Sequence, residues 1–157
     1  MRFQMREKLV SIGDDAWIED EQGERRYKVD GKALRVRDTF VLRDADGNEV
    51  AKMQERKLRA RNTMAVERDD ETVATIHKAM VGIRDRFDID VEDGDDLKAR
   101  GNVVDHEYEI KRGGDVVATV SKKWLRVRDT YGVDIADGED EVLVLALTVA
   151  LDSMSGD

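Results

Sequence analysis

The chain has 157 residues, a formal net charge of −9, 40% Asp, Glu, Lys or Arg, and neither cysteine nor proline. That length fits one domain spanning residues 1–157 around a single core. The missing cysteine excludes disulfides, thiol nucleophiles and Cys-ligated metals, and the negative charge argues against general nucleic-acid affinity, which needs a basic footprint. Asp (23) outnumbers Glu (13) and Arg (17) outnumbers Lys (10). Such a surface suits a salt-loaded cytoplasm and so a halophilic source, with a merely acidic soluble protein as the plainer reading. The opening MRFQMREKLVSIGDD has no apolar leader, which points to a cytoplasmic location.

In chain order, short alternating runs are separated by turn residues. Phe3 to Ser11 comes first, then Ala16 to Asp20 and Arg25 to Asp30, joined by EQGE with Gly23. Thr39 to Asp44 and Glu49 to Glu55 flank DADGN, a strong hairpin signal through Asp46-Gly47. Thr63 to Arg68 and Thr72 to Met80 flank DDE, Arg84 to Val91 and Leu97 to Gly101 flank EDGDD, and Glu107 to Lys111 and Val116 to Lys122 flank RGG. Thr130 to Ile135 closes the series. About twelve short strands at near-regular spacing predict an antiparallel meander.

The last stretch differs in kind. Val142 to Leu151, VLVLALTVAL, is apolar except for Thr148, and at ten residues it is far shorter than the roughly 20 needed to span a bilayer. Its valines also suit a buried strand, but its flanks favour a helix over residues 138–154. Asp137 is placed to cap it, Glu139, Asp140 and Glu141 bring negative charge to the first turn, and Ser153 to Gly156 supplies a stop. A helix apolar on every side must be enclosed. Alternating strands need a partner for their apolar face, and a closed sheet around one helix satisfies both while removing exposed edges.

Internal repetition supports one architecture throughout. LRVRDTF (Leu34 to Phe40) returns as LRARNTM (Leu58 to Met64) and LRVRDTY (Leu125 to Tyr131), and GNEVAKM, DETVATI and GDVVATV share a Val-Ala pair just past a turn. The period near 24 residues is short for a propeller blade, usually about 40.

The stretches MREKLVSIGDDAWIEDEQG, KVDGKALRVRDTFVLRDADGNEVAKM, NVVDHEYEI and RVRDTYGVDIADGEDEVLVLALTVALD together resemble the LURP-one-related family, in order, from near Met1 to about Met154. The resemblance implies a mainly β, tubby-like fold: a closed twelve-stranded antiparallel barrel with a hydrophobic C-terminal helix through its middle. It extends more distantly to phospholipid scramblases and to the phosphoinositide-binding domain of tubby proteins. It carries a fold rather than a reaction.

Candidate chemistry is sparse. His77 and His106 are the only histidines and read as ordinary strand or turn residues. EDGDD lacks the ligand spacing of an EF-hand, and DADGNE sits in a tight hairpin, so no metal site is expected. No phosphate-binding, dinucleotide or nucleophile-elbow motif occurs, so neither a cofactor nor an enzymatic role is expected. One constellation is distinctive: Arg35 and Arg37, Arg59 and Arg61, and Arg126 and Arg128 recur at equivalent places in the repeats, with Lys122 and Lys123 just upstream of the last pair. Spacing of two puts each pair on one face of an extended segment, where it suits phosphate groups. The same arginines can instead pair structurally with Asp38 and Asp129. The expected function is therefore a non-enzymatic binding or scaffold module, docking anionic lipid headgroups or a protein partner without spanning the membrane. The alternative is an enzyme or small-ligand carrier with a site at the barrel mouth.

Overall fold

The computed structural model describes residues 1–6, 16–31, 39–58, 61–79, 85–125 and 129–155. Twelve strands follow one another: β1 (Arg2–Arg6), β2 (Ala16–Glu19), β3 (Arg25–Gly31), β4 (Thr39–Asp44), β5 (Glu49–Leu58), β6 (Arg61–Arg68), β7 (Glu71–Ala79), β8 (Asp85–Val91), β9 (Leu97–Asn102), β10 (Glu107–Arg112), β11 (Asp115–Ser121) and β12 (Thr130–Ile135). Among the described residues a single helix, α1 (Glu141–Ser155), follows them. Each strand pairs antiparallel with its sequence neighbours, and β1 pairs β12 from Arg2↔Asp134 to Arg6↔Thr130, so the sheet closes into a barrel. The expected mainly β barrel around a C-terminal helix is what the chain forms.

Alternation sorts the side chains. Phe3 and Met5, Tyr27 and Val29, Phe40 and Leu42, Met64 and Val66, Phe87 and Ile89, and Tyr131 and Val133 all join one buried cluster with α1. Every helical residue from Val144 to Leu151 is buried. At 1.5 Å per residue the 15-residue helix is about 22 Å long. It lies closest to β5, β6 and β7, where the inward residues include Ala51 and Ala74. These small side chains let the helix backbone approach the wall, while Met53, Met64 and Ile76 on the same strands and Phe3, Phe87 and Tyr131 on others fill the rest of the interior.

The repeated Val-Ala pair acquires a structural meaning here. Register slips by one residue between Leu42 and Arg43 opposite β5, between Val66 and Glu67 opposite β7, and between Ile110 and Lys111 opposite β11. The extra residue is Val50, Val73 or Val117, each followed by a buried Ala51, Ala74 or Ala118. A β-bulge after the turn bends a strand and increases its twist, which a sheet needs to curl shut. In the β2–β3 hairpin the extra residue is Arg26, and its bulged position serves a different purpose, described below.

The helix begins later than the sequence pattern predicts. Asp137 and Gly138 form a turn, with Gly138 at φ +84°. Asp140 is the cap: its carboxylate accepts from the Leu143 N–H at 3.2 Å, and its carbonyl takes the first helical bond, from Val144, at 3.0 Å. Of the three expected acids, Glu141 alone lies inside the first turn; Glu139 and Asp140 precede it.

Candidate functional site

The meander divides the connections between two rims. The rim where α1 starts carries the tight turns, including Asp69-Asp70, both with positive φ, and Gly113-Gly114. The connecting residues there, 20–24, 45–48, 69–70, 92–96, 113–114 and 136–140, include thirteen Asp or Glu and no Lys or Arg. Between the strand ends that open on the rim where α1 ends, the sequence over residues 7–15, 32–38, 59–60, 80–84, 103–106 and 122–129 carries ten Lys or Arg against six Asp or Glu; of these cations Lys122 and Lys123 are among the described residues. Among the described residues the connecting acids are thus concentrated at one end of the barrel, which the net charge alone does not indicate.

At the acidic rim, arginines reach the acids that lead into α1. Arg112 on β10 grips Glu139 with two bonds of 2.8 and 3.0 Å. This contact holds the Glu139 carboxyl below its ordinary range and raises the guanidinium of Arg112. Arg68 on β6 meets Asp140 at 2.5 Å. The bulged Arg26 on β3 lies 3.5 Å from Asp20 and 3.8 Å from Glu141, and the Tyr27 hydroxyl donates to Glu141. Burial, and then that bond, raise the Tyr27 phenol above its usual range. Three strands spaced around the wall therefore clasp the start of the helix. Each clasp is partly exposed and contributes at most about 1 kcal/mol, so its value is in fixing position.

DADGNE is self-contained. Asp44 Oδ1 accepts from the N–H groups of Asp46 and Asn48, each at 2.9 Å, and these bonds keep its carboxyl below the normal range. Asp20 braces the first hairpin similarly through the N–H groups of Gln22 and Glu24. EDGDD contributes Asp96, which accepts from the Val91 N–H at 3.1 Å. Among the described residues, no acidic or histidine group is arranged to hold a metal ion.

At the other rim, the β9–β10 turn is anchored to the end of the helix. His106, in left-handed backbone at φ +54°, is buried and sets Nε2 2.7 Å from Asp152 Oδ1. Its ring stacks on Tyr131 with centroids 4.0 Å apart. Tyr108 is also buried, and burial followed by the Asp152 charge pushes its phenol up. With these groups closed to solvent, the His–Asp pair acts as a latch between turn and helix. His77 faces outward on β7, 3.4 Å from the Thr63 hydroxyl and 3.1 Å from Asp90. The order Thr–His–Asp is that of a nucleophile relay, but Thr63 is only 2% exposed, so substrate has no approach and the chain braces three strands.

Arg35, Arg37, Arg59, Arg126 and Arg128 lie outside the described residues, and Arg61 is placed by its backbone at the start of β6, opposite Leu58. The described strand ends on either side of them, Gly31 and Thr39, Leu58 and Arg61, and Ser121 and Thr130, all open on the rim where α1 ends. Lys122 and Lys123 are placed. Glu107, the residue after His106, accepts from the Lys122 N–H at 3.0 Å and from the Ser121 hydroxyl at 2.8 Å, and that hydroxyl accepts from the Lys123 N–H. Next to them, the Trp124 ring lies over Gly132, where a Cβ would come within 2.8 Å, and under the Arg2 guanidinium at 4.2 Å.

Sequence reasoning missed the arginine clasps and the His106–Asp152 latch, because both join residues far apart in the chain. A faint signal exists for the clasps: Arg26, Arg68 and Arg112 each stand beside a tight turn.

Comparison with known proteins agrees with this architecture. An X-ray structure of a protein from Arabidopsis thaliana superposes with a TM-score of 0.70 at 18% identity, covering 98% of this chain and 91% of that one. No curated protein matches. The model of the LURP-one-related family matches residues 1–152. A match over every strand and most of the helix leaves one assignment: the chain belongs to the LURP-one-related family.

Proposed function

We propose that this protein is a non-catalytic binding module that docks on anionic lipid headgroups through basic residues at the rim where α1 ends. The observation that supports the reading is the uneven charge of the described connections, with thirteen acids and no Lys or Arg on the tight turns and Lys122 and Lys123 at the opposite rim, where the sequence between the strand ends is rich in Arg. Arg35, Arg37, Arg59, Arg61, Lys122, Lys123, Arg126 and Arg128 are the residues assigned to contact. Arginine suits bidentate phosphate contacts, and lysine suits looser attraction to a charged surface. The lumen favours an outward-facing role, because α1 fills it with buried residues from Val144 to Leu151. Among the described residues no helix is long and apolar enough to cross a membrane, so contact through a rim is the mode proposed. A cytoplasmic setting fits, since the cytoplasmic leaflet carries the anionic lipids.

Co-sedimentation with vesicles of phosphatidylcholine alone or mixed with phosphatidylserine tests this. Binding to the mixed vesicles only, weakened about tenfold or more by Lys122→Ala with Lys123→Ala at unchanged melting temperature, is expected. Equal binding to both vesicles, or none to either, refutes the proposal.

A further inference from the structure

We infer that Val104 is an apolar wedge, and that the barrel docks end-on with its axis across the membrane plane and its acidic rim facing away. This rests on the reading above and adds the contact point and the orientation. Among the described residues three large hydrophobic side chains are exposed: Met1 at 49%, Val104 at 56% and Val116 at 42%. Met1 and Val116 belong to the acidic rim, where the Met1 amine donates to Ile135 and Val116 follows the Gly113-Gly114 turn. Val104 alone of the three stands on the opposite rim, at the tip of the β9–β10 turn.

A single exposed valine is ordinary on a protein surface; its mounting and neighbours distinguish this one. On one side Val103 is buried, and on the other His106 is latched to Asp152 and stacked on Tyr131. Asn102 accepts from the Asp105 N–H at 3.1 Å and donates to its carboxylate at 2.8 Å, turning the one acid of the turn back on its own loop. A tip held this firmly loses little freedom on insertion. Glu107 then braces the adjacent connection, so exposed Lys123 and half-buried Lys122 stand beside the tip. An apolar tip with lysines on the adjacent connection is the chemistry of an interfacial anchor: the cations gather anionic headgroups and the side chain enters the acyl boundary. The thirteen acids at the far rim are repelled by the same surface, which selects the orientation.

The cysteine-free chain allows one probe per molecule. Val104→Cys and, as a control at the opposite end, Val116→Cys are each labelled with an environment-sensitive fluorophore. Each is then mixed with phosphatidylcholine vesicles with or without phosphatidylserine, and binding is followed separately by sedimentation. Expected is a blue shift and quenching by acyl-chain quenchers at position 104 only, and only with the anionic vesicles. Val104→Asp in the unlabelled protein should weaken partitioning about fivefold or more at unchanged melting temperature. Vesicle binding with both probes unchanged, or with position 116 responding, overturns the orientation while leaving anionic docking intact. Failure to sediment with anionic vesicles overturns both.

Discussion

Replacing Leu147 by Ala tests whether the helix is the core of the molecule or a plug that the barrel tolerates. Leu147 is 0% exposed at mid-helix. Truncating such a leucine costs its transfer energy plus a cavity, about 2–5 kcal/mol. At this chain length each kcal/mol corresponds to about 2–4 °C, so the melting temperature should fall by about 4–20 °C. Val116→Ala, an equivalent trim on the exposed wall, should stay within about 0.5 kcal/mol. Thermal and urea unfolding followed by circular dichroism measure both. Removing residues 141–157 takes the same logic to its limit. Val144, Leu145, Leu147, Val149 and Leu151 together contribute on the order of 10 kcal/mol, comparable with the whole net stability of a domain. A Leu147→Ala shift below about 2 °C, or a truncated chain that still melts cooperatively with native strand content, would refute the central-helix argument.

Four further outcomes follow from the structure and the composition. Glu139, whose carboxyl is held low by Arg112, stabilises the fold above the ordinary carboxylate pKa near 4.3 and loses that contribution as pH falls through its depressed value; Glu139→Gln should flatten this part of the acid limb in pH-dependent urea titrations. The raised phenols of Tyr27 and Tyr108 act in the opposite sense, stabilising below pH about 10 and failing as pH rises beyond it, so Tyr108→Phe should shrink the alkaline loss. Gly132→Ala, whose added Cβ would come within 2.8 Å of the Trp124 ring, should displace that ring, seen as altered tryptophan fluorescence with a cost of about 1–3 kcal/mol. If the acidic balance reflects a salt-adapted source, molar KCl should raise the melting temperature markedly by screening the −9 charge, and a flat response would favour the merely acidic reading.

Much of the barrel was legible because its turns announce themselves. DADGN, DDE, EDGDD and RGG each mark a hairpin, and the alternating residues between them sort correctly into wall and core. The start of the helix was displaced because two neighbouring acids were each suited to capping. Gly138 adopts a left-handed turn, and that spends Asp137 on the approach and leaves Asp140 as the cap. The Val-Ala repeat was visible as a pattern, but it becomes a bulge only when register with the partner strand is known. The electrostatic clasps were beyond reach for a different reason. Arg68 and Asp140 are 72 positions apart, and His106 and Asp152 are 46 apart, so their pairing depends on closure rather than local pattern.

The pairing of β1 with β12 constrains how the molecule can come into being. Threading a 15-residue helix into a wall already closed would require paired strands to part again. The wall must therefore wrap around α1, and the seam from Arg2↔Asp134 to Arg6↔Thr130 must be sealed at or after that moment. During synthesis all twelve strands emerge before the helix, so a ribosome-bound chain presents an apolar sheet face with nothing yet to cover it. Joining residues more than 120 positions apart makes assembly slow, and the waiting sheet is a target for aggregation or for chaperones. Expression yield, rather than the stability of the finished protein, is then the property most exposed to mutations that delay the arrival of residues 141–155.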